Sequence, residues 1–321
     1  MGRLIIAAVW VLALGLAAWN FLRIYPGDRW LLVRLGNYFA PWLFIAVALG
    51  LVVALLAHRP WLTRVVLLLT LIFIARYWPL LVPRPPLLSA GNDASELQVM
   101  TFNVNYANRN ASDIAELIRA ESPDVIAMQE LVPDLANSLQ AELESEYPYF
   151  LYDSSQGLTG LISRYPLKAQ PILPVLKHNQ RASVETPGGT VTVWSVHLAT
   201  ALSQYGWEWQ RAMAAAIAQE AAQEAGALIV LGDFNTTDQT ENYRLVADQL
   251  TDVHWSAGRG FGFTWPDLRR YGADTAILGP VVRIDHIFVS EHFTPEEIHV
   301  IPSGYGSDHQ PVVATLRLNS R

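Results

Sequence analysis

The chain has 321 residues, of which 51% are hydrophobic and only 16% charged, with a mean hydropathy of +0.21. That excludes a largely disordered protein and is too apolar for an ordinary soluble one, while the absence of cysteine excludes disulfides, thiolate zinc sites and cysteine nucleophiles. The charge is divided: residues 1–84 carry eight Arg, no Lys and one acid, Asp28, a net +7, whereas residues 85–321 carry 14 basic and 28 acidic residues, a net −14.

Leu4–Leu22 and Tyr38–Ala57 run for 19 and 20 residues without a charge. Each is long enough to cross a hydrocarbon core of ~30 Å at ~1.5 Å per residue. A third apolar run, Val65–Val82, contains Arg76 near its end, where a long side chain can snorkel to the headgroups. Trp19, Trp30, Trp42, Trp61 and Trp78 flank the runs, as interfacial aromatics do. A membrane anchor over 1–84 is therefore expected, with about three transmembrane helices near 4–22, 38–57 and 65–82. The alternative for the first run is a cleaved signal peptide, disfavoured by its length and by the poor cleavage sequence Ala17–Asn20. The alternative for the third is a buried or re-entrant helix. Arg3, Arg59 and Arg64 on one side balance Arg23, Arg29 and Arg34 on the other, so the positive-inside rule does not orient the anchor. Pro83-Arg84-Pro85-Pro86 and the polar stretch Ser89–Glu96 read as a stiff exit and linker, 85–96, before a second domain over 97–321.

In that domain Leu97–Val104 is a strand candidate. Ser112–Ala120 has helical spacing, with Ile114, Leu117 and Ile118 on one face and Ser112 as a candidate cap. Asp124–Gln129 reads as a short buried strand and Leu135–Glu146 as a helix. Further strands are expected at Gly160–Ser163, Ala182–Glu185, Thr190–His197, Leu228–Gly232, Arg283–Ser290 and Pro311–Leu318. A long helix is expected at Gln204–Ala225, and Pro187-Gly188-Gly189 signals a hairpin turn. Strands interleaved with helices suggest a layered α/β domain.

Apolar strands run into clusters of oxygen and imidazole ligands. These are Asn103 with Asn105, Glu130 after Met-Gln, His197, Asp233 with Asn235, and the pairs Asp285-His286 and Asp308-His309. Ligands at adjacent strand ends converge on one rim of a rigid sheet. Singly, each has a structural reading: a helix cap, a turn former, a core histidine or a surface ion pair. Carboxylates and amides without thiolate suit a hard cation, Mg²⁺ or Mn²⁺, rather than zinc. Histidines beside acids add proton transfer near neutral pH. Together they suit in-line hydrolysis of a phosphate ester. No Gly-x-x-x-x-Gly-Lys loop or Gly-x-Ser-x-Gly elbow supports a kinase or serine esterase.

These residues resemble the endonuclease/exonuclease/phosphatase superfamily from about Leu97 to Leu318. The motifs occur in order: Asn103; Met-Gln-Glu130; Leu-Ile-Ser163-Arg164-Tyr-Pro-Leu; Val-His197-Leu; Gly-Asp233-Phe-Asn235; Thr264-Trp265-Pro266; Arg-Ile-Asp285-His286-Ile; and Ser307-Asp308-His309. The resemblance implies a four-layer α/β sandwich, two packed mixed sheets flanked by helices. It implies Glu130 as principal Mg²⁺ ligand with Asn103 beside it, and Asp308 supporting a metal site. Asp233 would orient or deprotonate the attacking water and Asn235 would hold a phosphate oxygen. His309, oriented by Asp285, would contact the scissile phosphate, and His197 falls where many members place a phosphate-contacting histidine. Asn105 stands where abasic-site nucleases usually have Asp, which weakens any second metal site.

The acidic domain has two lysines, Lys168 and Lys177, and no basic run, which disfavours nucleic acid as a partner. An anchor raises the local concentration of a membrane substrate. The expectation is a membrane-anchored, Mg²⁺-dependent phosphoesterase whose partners are the lipid bilayer and a phosphorylated lipid or small envelope phosphoester. The resemblance extends to bacterial members with a similar anchor, which implies a multi-pass inner-membrane protein with its catalytic domain outside the cytoplasm. A tethered nuclease and a catalytically inactive scaffold are the alternatives. Phe261, Phe263 and Trp265, in a Gly-rich loop, form either a substrate rim or a cover over the core edge. Trp207 and Trp209 either reach toward the membrane or pack.

Overall fold

The computed structural model describes residues 2–82, 95–176, 178–271 and 279–319. The chain divides into two compact units: residues 1–83 carry the apolar helices and the bulk of 84–321 the sheets.

The first unit holds α1 (Arg3–Leu22), α2 (Leu31–Tyr38), α3 (Ala40–Leu56) and α4 (Pro60–Leu81). Two of these, α1 and α4, are long and apolar enough to cross a membrane. The pair α2–α3, bent by 78°, makes a third span if it counts as one. Packing uses small and flat side chains: Val9, Ala13, Val47, Val66 and Leu69 are buried, and a Cβ on Gly50 would sit 3.3 Å from Val9 Cγ1. Phe44 stacks on Phe73 with centroids 4.2 Å apart. Leu4, Leu49, Leu55, Leu68 and Leu71 stay exposed, an apolar exterior that suits lipid rather than water. These helices support association with a membrane.

Among the described residues the second unit contains twelve strands. In chain order they are β1 (Ser95–Asn103), β2 (Val125–Gln129), β3 (Tyr149–Tyr152), β4 (Thr159–Ser163), β5 (Leu167–Ala169), β6 (Asn179–Thr186), β7 (Gly189–His197), β8 (Ala227–Asp233), β9 (Thr251–Asp252), β10 (Asp285–Val289), β11 (Phe293–Val300) and β12 (Val312–Leu318). Five helices join them: α5 (Ala111–Glu121), α6 (Pro133–Leu143), α7 (Gln204–Ala221), α8 (Glu241–Ala247) and α9 (Val253–Ala257). One sheet has the order β11-β12-β1-β2-β4-β3 and the other β5-β6-β7-β8-β10-β9. Each has a parallel central pair, β1 with β2 and β7 with β8, flanked by antiparallel strands. Parallel neighbours need a long crossover, and α5 and α7 provide them.

Side-chain alternation makes four layers. Val99, Ala127, Val193, Ile229, Ile287 and Ala314 point between the sheets. On the outer face of the first sheet, Met100, Phe102 and Ile126 meet Ile114 and Ile118 of α5 and Leu135 and Leu139 of α6. On the other, Trp194 and Val230 meet Met213 and Ile217 of α7. Each fully buried aliphatic side chain contributes about 1.5–3 kcal/mol. The expected sandwich of two mixed sheets flanked by helices is what forms.

Several boundaries differ from the sequence reading. Residues 85–94 of the expected linker lie outside the described residues, while Ser95 and Glu96 already pair with Leu318 and Arg317. Ser112 is not the cap of α5: the helix starts one residue earlier, with Asn110 at its N-cap, and the Ser112 hydroxyl donates to Glu142. β11 gives no strand signal in the sequence because Pro295 and two glutamates break the pattern. It is an edge strand whose register shifts at Pro295, the place where proline is tolerated.

Candidate active site

Five rows of side chains on the inner faces of the sheets change from apolar to polar at the same end. They are Val99-Thr101-Asn103, Val125-Ala127-Gln129, Val193-Ser195-His197, Ile229-Leu231-Asp233 and Val289-Ile287-Asp285. Register sets the neighbours. Asn103 pairs with Gln129, so Glu130 is the first residue beyond β2. His197 pairs with Asp233, and Asp233 with Asp285. The chain leaves the strands through left-handed backbone at Asn105 (φ 62°), Glu130 (φ 55°) and Asn235 (φ 48°), a region non-glycine residues enter at a cost and mostly at functional sites. Gly232 has φ 152°, and a Cβ there would lie 1.9 Å from the Val196 carbonyl oxygen. Glycine thus lets β7 and β8 approach just before Asp233.

Asp233 is the hub. Its Oδ2 accepts from Asn103 Nδ2 at 3.0 Å and lies 3.4 Å from His197 Nε2 and 3.8 Å from His309 Nε2. Its Oδ1 accepts from the Asn235 amide at 2.8 Å. Asn103 Nδ2 also reaches Glu130 Oε1 at 3.2 Å, and Glu130 Oε2 accepts from the Tyr106 amide at 3.0 Å. Burial pushes the Asp233 pKa up and Asp285 adds to this, against the opposing pull of His309 and His197. A buried carboxylate so raised is a stronger base than an exposed one.

His309 Nδ1 sits 2.9 Å from Asp285 Oδ2, which fixes the ring and leaves Nε2 toward Asp233. Burial opposes its charge, yet Asp285 and then Asp233 outweigh it and the imidazole pKa is pushed up to about 10. The Ser307 hydroxyl donates to the Asn103 carbonyl at 2.7 Å and accepts from the His309 amide at 3.0 Å, tying His309 to β1.

The structure thus brings together Asn103, Glu130, His197, Asp233, Asn235, Asp285 and His309. The Asn235 side chain is turned to the Leu198 carbonyl (2.9 Å) and Asp233 (3.3 Å), so it braces the hub. Asp308 points elsewhere: its oxygens accept from Asn105 Nδ2 at 2.5 Å and Trp265 Nε1 at 3.1 Å, with Arg270 3.8 Å away. His286, one residue after Asp285, faces the opposite side of β10. There it joins a buried network in which Arg283 holds Asp252 at 2.9 Å and Tyr243 donates to Asp252 at 2.6 Å. Trp265 is fastened at the edge through Asp308, and Phe261 stacks on Phe263 with centroids 5.3 Å apart. Trp207 is buried, and Trp209 donates to the Val175 carbonyl, so both pack within the domain.

Sequence reasoning assigned no role to Gln129, Ser195 or Ser307. Gln129 spans the sheets, accepting from Thr101 at 3.3 Å and donating to Ser195 at 3.2 Å. The available signal was a polar residue in phase with the site residue on an otherwise apolar inner face.

The donor set suits a hard divalent cation. Ligand atoms of Asp233, Asp285 and His309 lie within 4.8 Å of one another, close enough to hold a metal. A proton on His309 competes with a cation there, and Asp285 is already committed to that ring. Glu130 is more open, 21% exposed against 2% for Asp233. That openness makes Glu130 the carboxylate that would hold an oxygen-seeking ion together with its waters.

The sequence profile of the Endonuclease/Exonuclease/phosphatase family matches residues 100–309. Among solved structures, an endonuclease/exonuclease/phosphatase from Beutenbergia cavernae DSM 12333 is similar with a TM-score of 0.55 and 23% identity, over 70% of this chain and 72% of that one. One from Bacteroides vulgatus has a TM-score of 0.58 and 20% identity, over 70% of this chain and 100% of that one. D. rerio TDP2 complexed with single strand DNA product has a TM-score of 0.54 and 22% identity, over 70% and 100%. At these identities the likeness is one of fold. No curated protein matches the chain.

Proposed function

Since the chain belongs to the endonuclease/exonuclease/phosphatase family, whose hydrolases act on phosphate ester bonds, we propose that it is a membrane-anchored, Mg²⁺-dependent phosphoesterase. Its substrate in this reading is a phosphate ester or pyrophosphate of a lipid or envelope metabolite. The observation that carries the reading is the convergence of two imidazoles and two amide side chains on the buried carboxylate of Asp233.

Asp233 orients the attacking water and takes its proton, and its raised pKa strengthens it for that task. His309, held as imidazolium by Asp285, meets the phosphoryl oxygens with positive charge. His197, 3.4 Å from Asp233, contacts the same oxygens from the other side. Glu130 and Asn103 would hold Mg²⁺, which when bound polarises the phosphoryl group as a Lewis acid. Asn103 also keeps Glu130 and Asp233 in one frame through its single amide nitrogen.

A lipid substrate is supported by the apolar helices of the same chain and by the −14 charge of the rest. Three crossings from a cytoplasmic N-terminus would put the catalytic unit outside, and a reporter fused at Arg321 that works only in the cytoplasm would overturn that placement. The likeness to a structure holding a single-strand DNA product favours a second reading, a tethered nuclease. The purified full chain separates the two. Phosphate release from a lipid pyrophosphate, needing Mg²⁺ and lost in Asp233→Ala, establishes the phosphoesterase. Nicking of supercoiled DNA with the same dependence, and no lipid turnover, establishes the nuclease.

A further inference from the structure

Few large apolar side chains of the sheet unit are open to solvent, and their distribution is uneven. Among the described residues only Tyr106, Tyr149, Leu202 and Tyr205 stand exposed, and three of these four follow the catalytic ends of β1 and β7: Tyr106 and Leu202 on the loops and Tyr205 in the first turn of α7. Tyr106 is 62% exposed, and its backbone amide binds the catalytic-rim carboxylate of Glu130. Leu202 and Tyr205, each 71% exposed, sit where the chain passes from His197 into α7.

That passage is built rigidly. The Leu198 carbonyl accepts from Asn235 Nδ2 at 2.9 Å, and Gln210 Nε2 holds the Ala199 carbonyl at 2.7 Å and the Asn235 carbonyl at 2.8 Å. Ser203 caps α7 by accepting from the Gly206 amide at 2.9 Å. A Cβ at Gly206 would come within 2.3 Å of the Thr200 carbonyl, so the loop and helix start lie tightly together. The Tyr205 ring meets Trp209 edge-on, with centroids 5.9 Å apart. Leu198–Trp207 contains no charged residue in a domain whose net charge is −14. A rigid loop and helix start that hold a leucine and a tyrosine out in water lose free energy unless something apolar covers them.

We propose that this rim docks on the lipid bilayer, with Leu202 and Tyr205 entering the interface, and so presents the phosphate-binding site to headgroup phosphates. The occupant is chosen by the chain itself. Its own helices are apolar and long enough to cross a membrane, and Tyr with Leu on an uncharged segment is the composition that seats at the boundary of headgroups and acyl chains. The purpose of docking rests on the phosphoesterase reading, but docking can be read without turnover.

The absence of cysteine makes the test clean. The full chain, reconstituted in phosphatidylcholine vesicles with a fraction of anionic lipid, carries one environment-sensitive label, on Tyr205→Cys, Leu202→Cys or Glu144→Cys at the exposed end of α6. Labels at 202 and 205 are expected to shift to the blue and to be quenched by lipids brominated in the upper acyl chain, whereas the label at 144 is not. Labels at 202 and 205 that behave like the one at 144 overturn the proposal. In the unlabelled Leu202→Ser/Tyr205→Ser variant, KM for a lipid phosphoester in the bilayer rises about tenfold or more, while kcat on a soluble phosphodiester is unchanged. Equal losses on both substrates overturn docking in favour of a merely structural loop. Quenching at 205 with no lipid turnover by the native chain supports docking and overturns the lipid substrate.

Discussion

Replacing Asp285 by Asn tests the electrostatic core of the site with almost no change in volume. Asp285 approaches His309 Nδ1 at 2.9 Å and 3.2 Å with its two oxygens, and both side chains are buried. The imidazole pKa rises from 6.5 to about 10, which at ~1.36 kcal/mol per pH unit is a preference of about 5 kcal/mol for the charged ring. Asp285 supplies the largest favourable part and Asp233 the next. The amide removes the first part and also releases the ring orientation. Loss of a carboxylate that orients a catalytic histidine costs about 10²- to 10⁴-fold in kcat, and that range is expected here. The assay is kcat against pH from 6 to 10.5 on a soluble phosphodiester at saturating Mg²⁺. The native profile should hold up to near pH 10, and that of Asp285→Asn should fall from lower pH. Stability follows the same sign. A histidine pKa raised on folding stabilises fully below 6.5, and the contribution is lost as pH rises through about 10. The native Tm should therefore decline more steeply than the variant's over that window. A variant with native kcat and the native alkaline limb would refute the assignment of His309 as the charged contact.

Gly232→Ala should lower stability by about 3 kcal/mol or more, because its Cβ meets the Val196 carbonyl at 1.9 Å on a left-handed backbone; thermal unfolding in detergent reads this. Chelation should abolish turnover and Mg²⁺ restore it, and Glu130→Gln should raise the half-activating Mg²⁺ concentration about tenfold or more by removing a ligand charge, as a metal titration would reveal. His254 tests the opposite sign: desolvation, helped by Arg283, lowers its pKa from 6.5 to about 4. The unfolded chain then binds the extra proton between those values, so this stability is present above pH 6.5 and lost toward pH 4, by about 3 kcal/mol at most. His254→Gln should flatten that slope in Tm against pH, and an unchanged slope would assign it to other groups.

The amino-acid sequence already specifies the apolar helices, the strand-and-helix order and the strand ends that carry ligands. Each depends on local periodicity: uncharged runs of membrane length, and inner-face rows that turn polar at Asn103, His197, Asp233 and Asp285. It could not choose within adjacent pairs. Asp285 and His286 read alike, yet strand alternation puts the first in the site and the second in the Arg283–Asp252 network. Likewise His309 enters the site while Asp308 is occupied by Asn105 and Trp265. Only tertiary structure brought Asn103 to Asp233, 130 positions apart and on different sheets. It also set the charge on His309, since that depends on burial and on two carboxylates delivered by β8 and β10. Side-chain type and period are written residue by residue. Contacts between sheets, and the desolvation that tunes a titrating group, exist only once the layers have closed.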